Sequence, residues 1–375
     1  MGTYYLMNKD NRICKFSLDV KVNIIEVYRN ISFLKYLDTW IQGRVTPLGR
    51  KNINCLLKYA SIRNEAELIK ITRLISFNDC FWAKEVGDTT SWSEVSPYTN
   101  RLSKLIADVA LLNDYRGGNL RSPSPEPATA GNYDKCWRRT SSGVYLVKSG
   151  YAKWSEMTGN ESFSEVLVNQ LEQALSLRSY VRYKCYTKEY DESTYVFTSC
   201  KLFTSENVGF VPVCDVFDNS VPATAMYKYY RSKGLLSALV FKEMLLLDSL
   251  TLNFDRHTGN YGFLFDTNTL EIKCSAPIFD NNLALIPNTQ IRGKSDHEIL
   301  DSIRNFRPQT FAGTFIEQGR AILKLDDREN GDLRQRLTRA RDFQFVRDKQ
   351  LELLSDERLE FLNKFIRYQI KQILG

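Results

Sequence analysis

Between Asp114 and Gly131 the chain runs through three prolines, three glycines and small polar residues with no apolar periodicity. Such a segment cannot sit inside a helix or a central strand. Each Xaa-Pro step biases the preceding residue to extended backbone, and the glycines supply no packing. It therefore reads as a linker, and it divides the 375 residues into stretches of different rhythm. A chain of this length is expected to build two or three units with a substantial core.

Before the break, Tyr4–Met7 and Ile13–Phe16 flank the polar run Asn8–Asn11 and read as a hairpin with a four-residue turn. Helical patterns cover Asn52–Tyr59, Glu65–Leu74, with Asn64 and Glu67 as a capping pair, and Arg101–Leu112. Ile75–Trp82 is rich in aromatics and reads as packed core. After the break, Lys135–Arg139 and Val144–Lys148 read as an antiparallel pair around Ser141-Ser142-Gly143. Glu161–Leu177 follows as a helix, then Val181–Glu189 and Tyr195–Phe203 as two more strands. From about 223 the pattern becomes helical, near 223–232, 235–250, 295–306, 315–326 and 350–374, interrupted by a loop at 253–285. This order predicts an α+β chain in three domains: an accessory α/β domain over 1–115, a small β-rich lobe over 116–210 and a larger helical lobe over 211–375.

Composition removes several classes. Hydrophobic residues make up 43% of the chain, the range of a globular protein. The net charge of +7 comes from 51 basic against 44 acidic residues scattered along the sequence. Direct nucleic-acid binding is not expected, since that needs a concentrated basic stripe. Eight cysteines form no C-x-x-C pair and only two histidines exist, which argues against zinc. Scattered cysteines in apolar runs fit reduced thiols and a cytoplasmic setting. No secretory signal is read at Met1–Asp10. The apolar run Leu235–Leu250 contains Lys242, Glu243 and Asp248, so it reads as a core helix and no membrane association is expected.

The chemistry concentrates at Asn253-Phe254-Asp255-Arg256-His257-Thr258-Gly259-Asn260, followed by Ala276-Pro277-Ile278-Phe279-Asp280-Asn281-Asn282. Phosphoryl transfer from ATP needs an oriented nucleophile, oxygen ligands for magnesium and a cation near the phosphates. Asp255 can face the incoming hydroxyl. Asn260, five positions on, and Asp280, returned by a hairpin over Tyr261–Lys273, can hold Mg2+. Turn-forming Asp and Asn residues are the competing explanation. Lys148, ending an apolar strand, can reach a phosphate or solvent. Glu165 can orient it, with Glu161 and Glu172 as rivals. Backbone N–H groups around Thr129, Ala130 and Gly131 can cradle phosphate although no Walker or G-x-G-x-x-G sequence exists. His257 is grouped with the nucleotide-binding residues as a brace of the loop backbone and not as a metal ligand. Arg256 and the stretch Arg292–Lys294 read as solvated surface that could meet an anionic substrate.

The pattern Asn253-x-Asp255-x-His257-x-x-Asn260 with Ala276-Pro277-x-x-Asp280 resembles the signature of HipA-like serine/threonine protein kinases, over roughly residues 115 to 375. The resemblance implies a bilobal protein-kinase-like fold with an N-terminal extension and a Mg-ATP-dependent, toxin- or effector-like serine/threonine kinase. It implies that Asp255 orients the hydroxyl, that Asn260 and Asp280 bind magnesium, and that Lys148, oriented by Glu165, contacts ATP. Cys200-Lys201-Leu202-Phe203 would lie near the adenine hinge and Ser124–Tyr133 would be the phosphate loop, with Ser122, Ser124 and Thr129 open to autophosphorylation. The partners implied are a protein substrate with a Ser/Thr acceptor and an antitoxin or regulatory protein. A small-molecule or lipid kinase, and a nucleotide-binding pseudokinase acting by interaction, stand as alternatives.

Overall fold

The computed structural model describes residues 2–45, 68–112, 125, 134–150, 159–190, 193–218, 221–311, 313–325 and 327–375. Among these the chain is a mixed α/β protein. In order it forms β1 (Gly2–Asn8), β2 (Asn11–Leu18), β3 (Val22–Val27), α1 (Leu37–Val45), α2 (Leu68–Thr72), β4 (Phe81–Glu85), α3 (Trp92–Val95), α4 (Lys104–Leu112), β5 (Lys135–Thr140) and β6 (Gly143–Ser149). Next come α5 (Asn160–Ala174), β7 (Tyr183–Tyr190), β8 (Ser193–Lys201), β9 (Val208–Pro212), α6 (Val213–Val216), α7 (Ala223–Ser232) and α8 (Leu235–Thr251). The chain ends with β10 (Gly262–Asp266), β11 (Glu271–Ser275), α9 (Asp296–Ile303), α10 (Phe315–Lys324), α11 (Asp327–Arg339) and α12 (Asp356–Leu374).

The residues fall into two compact units. The first comprises Met1–Lys148, Lys201–Asp218 and Phe263–Lys273. The second comprises Ser149–Cys200, Asn219–Gly262 and Cys274–Gly375.

The first unit is built on an antiparallel sheet of order β3-β2-β1-β4. The β1–β2 turn is tighter than the sequence suggests. Asn8 pairs with Asn11, so only Lys9 and Asp10 lie outside the ladder, and Lys9 adopts φ 52°. That positive φ suits the right-handed twist of a two-residue turn. Strand β4 starts at the end of the aromatic stretch expected as core and runs beyond it. Phe81 and Trp82 are buried there, and Trp82 Nε1 donates to the Lys9 carbonyl at 2.7 Å. The β5–β6 hairpin forms as expected, with Thr140 opposite Gly143. Trp137 packs on Phe77 with ring centroids 4.7 Å apart. A three-stranded sheet of order β11-β10-β9 completes this unit, although β9 had no expectation from the sequence. Asn8 Nδ2 donates to the Thr267 carbonyl at 2.6 Å and ties the two sheets together.

The second unit is organised around α8. From Ser237 to Thr251 every residue of this helix except Leu239 is buried, and α7, α10 and α12 pack against it. The hairpin β7–β8 carries α5 on β7. Helix α11 was not anticipated. Its sequence, Asp327–Arg339, is dominated by charged residues, which masks its few buried apolar positions, Leu333 and Leu337. Gly159 starts α5 at φ 84°, and a Cβ there would lie 2.6 Å from Val196 Cγ2. Gly159→Ala is therefore expected to lower stability by about 3 kcal/mol, combining left-handed strain with overpacking. Thermal or urea unfolding measures this, and an unchanged midpoint would refute it.

Among the described residues no helix is long and apolar enough to cross a membrane. Of the seven described cysteines, Cys14, Cys80, Cys136, Cys185 and Cys200 are buried, Cys274 is half-buried and Cys214 is exposed.

Candidate functional site

The polar loop begins where α8 ends. Leu252 takes φ 51° and its N–H closes the helix on the Asp248 carbonyl, which also accepts from Asn253 N–H at 3.1 Å. Asp255 N–H then donates to Asn253 Oδ1 at 3.2 Å. The Asp255 carbonyl accepts from His257 N–H at 2.7 Å and from Asn260 Nδ2 at 3.1 Å. Donation through Nδ2 leaves Oδ1 as the acceptor end of the Asn260 amide. His257 is exposed, and its Nδ1 accepts from Gly259 N–H at 3.1 Å.

Arg256 overturns its expected place on the surface. It is 2% exposed and all of its guanidinium donors are used. Nε and Nη2 bond the Asp248 carboxylate at 3.0–3.2 Å. Nη1 donates to the Asn260 carbonyl at 3.1 Å and to the Phe279 carbonyl at 2.5 Å, and Nη2 also reaches Asn281 Oδ1 at 2.5 Å. One side chain thus joins the end of α8, the polar loop and the segment around Asp280. Burial alone would depress the Arg256 pKa. Bonded Asp248, with Asp280 and Glu165 near, outweighs it and holds the pKa above the usual arginine value.

The Asp280 segment is fixed from several directions. Ile278 bridges Ser179–Val181: Val181 N–H donates to the Ile278 carbonyl at 2.8 Å and Ile278 N–H to the Ser179 carbonyl at 2.9 Å. Asp280 adopts φ 58°, a left-handed conformation that Asp tolerates better than most residues. Its N–H donates to Tyr183 Oη at 3.0 Å, and the next N–H, of Asn281, donates to Glu165 Oε2 at 2.9 Å. Downstream, Arg358 from α12 donates to the Thr289 carbonyl at 2.6 Å and to the Ile286 carbonyl at 3.3 Å. Burial lowers the Arg358 pKa to about 10.

Arg256 therefore links the loop at Asn260 to the residues on either side of Asp280, with Glu165 bonded to the residue after Asp280. Asp255 and Asp280 are half-buried and Asn260 is 9% exposed. Arg292 and Lys294 are exposed. Lys148 is 7% exposed on β6, opposite Lys135, and belongs to the first unit. Cys200 is buried on β8 opposite Tyr183 in the second unit. Phe203, in the first unit, meets Phe210 edge-on at 5.7 Å. Thr129, Ala130 and Gly131, with Ser122 and Ser124, lie outside the described residues. Among the described residues no group of three or more His, Cys, Asp or Glu is placed to hold a metal ion.

Sequence reasoning gave no role to Asp248, Tyr183 or Asn281, and offered Glu172 only as a rival of Glu165. Asp248 carried a signal, because an acid within Leu245–Leu250 on a buried helix requires a partner. Glu172, a rival of Glu165, is buried on α5. Asn169 Nδ2 donates to its Oε2 at 2.5 Å, while its Oε1 has no hydrogen-bond partner. Burial, reinforced by Glu165 and Asp248, raises its pKa well above the ordinary carboxyl value. A raised folded-state pKa stabilises most below the unfolded value of about 4.3, and this contribution is lost as pH rises toward the folded value. Glu172→Gln lacks that loss. Its melting temperature is expected to gain on wild type steadily from pH 5 to pH 8, and a difference independent of pH would refute the assignment.

No family model and no curated protein matches the chain. Among solved structures, the Helicobacter pylori proinflammatory kinase CtkA is similar at 21% identity and a TM-score of 0.44, over 66% of this chain and 90% of that one. A likeness of this degree assigns neither a fold family nor a residue role.

Proposed function

We propose that this protein is a Mg-ATP-dependent serine/threonine protein kinase whose chemistry is centred on Asp255, Asn260 and Asp280. One observation carries the reading: the Arg256 guanidinium binds the carbonyls of Asn260 and Phe279 at once, so two segments about twenty residues apart in sequence share one polar cluster. The donor chemistry fits the cation. The Asp280 carboxylate and the Asn260 amide oxygen are hard ligands, and magnesium is commonly held by one or two protein oxygens with phosphates and water. Bound Mg-ATP would supply the transferable phosphoryl group, with charge on its phosphates neutralised by the ion.

Asp255 would orient the substrate hydroxyl and accept its proton as the oxygen bonds to the γ-phosphorus. The bond to the bridging oxygen breaks and ADP leaves with that electron pair. Lys148 is the proposed phosphate contact. Incubation with Mg-ATP carrying labelled γ-phosphate, followed by separation of protein, lipid and metabolite fractions, tests the reading. Label on serine or threonine of protein is the expected result. Label confined to lipid or metabolite would refute a protein substrate, and no transfer at all would refute the kinase.

A further inference from the structure

We infer that Tyr183 is a positioning residue that, with Glu165, fixes the backbone at Asp280 and thereby sets how the Asp280 carboxylate is offered to a divalent cation. This rests on the reading of Asp280 as a metal-binding residue. Two successive N–H groups, of Asp280 and Asn281, are caught by two buried side-chain acceptors on different elements, Tyr183 Oη of β7 at 3.0 Å and Glu165 Oε2 of α5 at 2.9 Å. The preceding carbonyl and the following side chain, of Phe279 and Asn281, are held by Arg256. The residue at the centre, Asp280, has φ 58°. A non-glycine residue in this conformation persists where its surroundings over-determine it, and such residues cluster at functional sites.

Glu165 thus has a partner that the family resemblance did not assign, the Asn281 N–H. Arg256 and Asp248 stabilise the cluster as a whole. Tyr183 Oη accepts from the Asp280 N–H, whereas the Arg256 guanidinium bonds Asp248, so removal of the Tyr183 oxygen loosens Asp280 and leaves the Arg256 pair in place.

Tyr183→Phe in the full chain is the test, with two readouts besides transfer. Amide hydrogen exchange across Phe279–Asn281, in the absence of nucleotide, is expected to accelerate several-fold. The magnesium concentration that half-saturates binding of a non-hydrolysable ATP analogue is expected to rise roughly five- to ten-fold, the scale of one lost hydrogen bond. Analogue affinity without metal should stay the same, and Mn2+ should partly restore binding. Unchanged exchange, or unchanged magnesium dependence with faster exchange, would overturn the positioning role. If Tyr183→Phe does not fold, Glu165→Gln and Glu165→Leu make the same test: the amide retains an acceptor and slow exchange at Asn281, whereas leucine loses both. Equal exchange in the two variants would overturn the inference. Wild-type protein that binds the analogue without magnesium dependence overturns the metal reading of Asp280, and the exchange data then judge the clamp alone.

Discussion

Asp255→Ala is expected to reduce phosphoryl transfer by roughly 10²- to 10⁴-fold, the contribution typical of a positioned acid–base group. Asp255 is half-buried in a polar loop, and its backbone N–H and carbonyl are both hydrogen-bonded. Alanine preserves these two bonds while it removes the carboxylate. Asp280→Asn should fall similarly but respond to metal concentration, because an amide is a weaker ligand for magnesium than a carboxylate. Intact mass of a serine- or threonine-containing protein substrate after incubation with Mg-ATP reads both variants. Transfer at the wild-type rate in Asp255→Ala would remove this residue from the chemistry.

Arg256→Met is expected to cost about 3–5 kcal/mol of stability, since it strands the buried Asp248 carboxylate and leaves the acceptors of Asn260, Phe279 and Asn281 without their donor. Lysine retains the charge but presents three donors from one point and cannot span acceptors on three segments. Arg256→Lys should fall between wild type and Arg256→Met. The double change Asp248→Leu with Arg256→Met should recover part of the loss, because an apolar pair avoids the stranded charge. Urea unfolding followed by far-UV circular dichroism measures the series. An Arg256→Met midpoint equal to that of wild type would mean that the pair contributes nothing.

Much of the architecture was legible because local patterns agreed with tertiary packing. The run around Leu245 gave a core helix, and Ser141-Ser142-Gly143 gave the β5–β6 hairpin. The spacing of Asp255, Asn260 and Asp280 drew attention to segments that the fold does bring together. The failures have a common cause. Strand β4 was hidden because its apolar part, Phe81–Ala83, is too short to show a period that separates strand from core coil. Helix α11 was hidden by surface charge, and Arg256 was read by residue type, whereas its burial depends on Asp248 eight positions earlier and Asn281 far beyond. Hydrogen bonds such as Tyr183 to Asp280 join residues ninety-seven positions apart and leave no trace in periodicity.

The first unit gathers three separated stretches of chain, and Asn8 finds its carbonyl partner 259 positions later, at Thr267. During synthesis the amino-terminal sheet must therefore wait, with one edge of its contacts missing, until nearly three quarters of the polypeptide has left the ribosome. Contacts between residues so far apart in sequence favour slow folding.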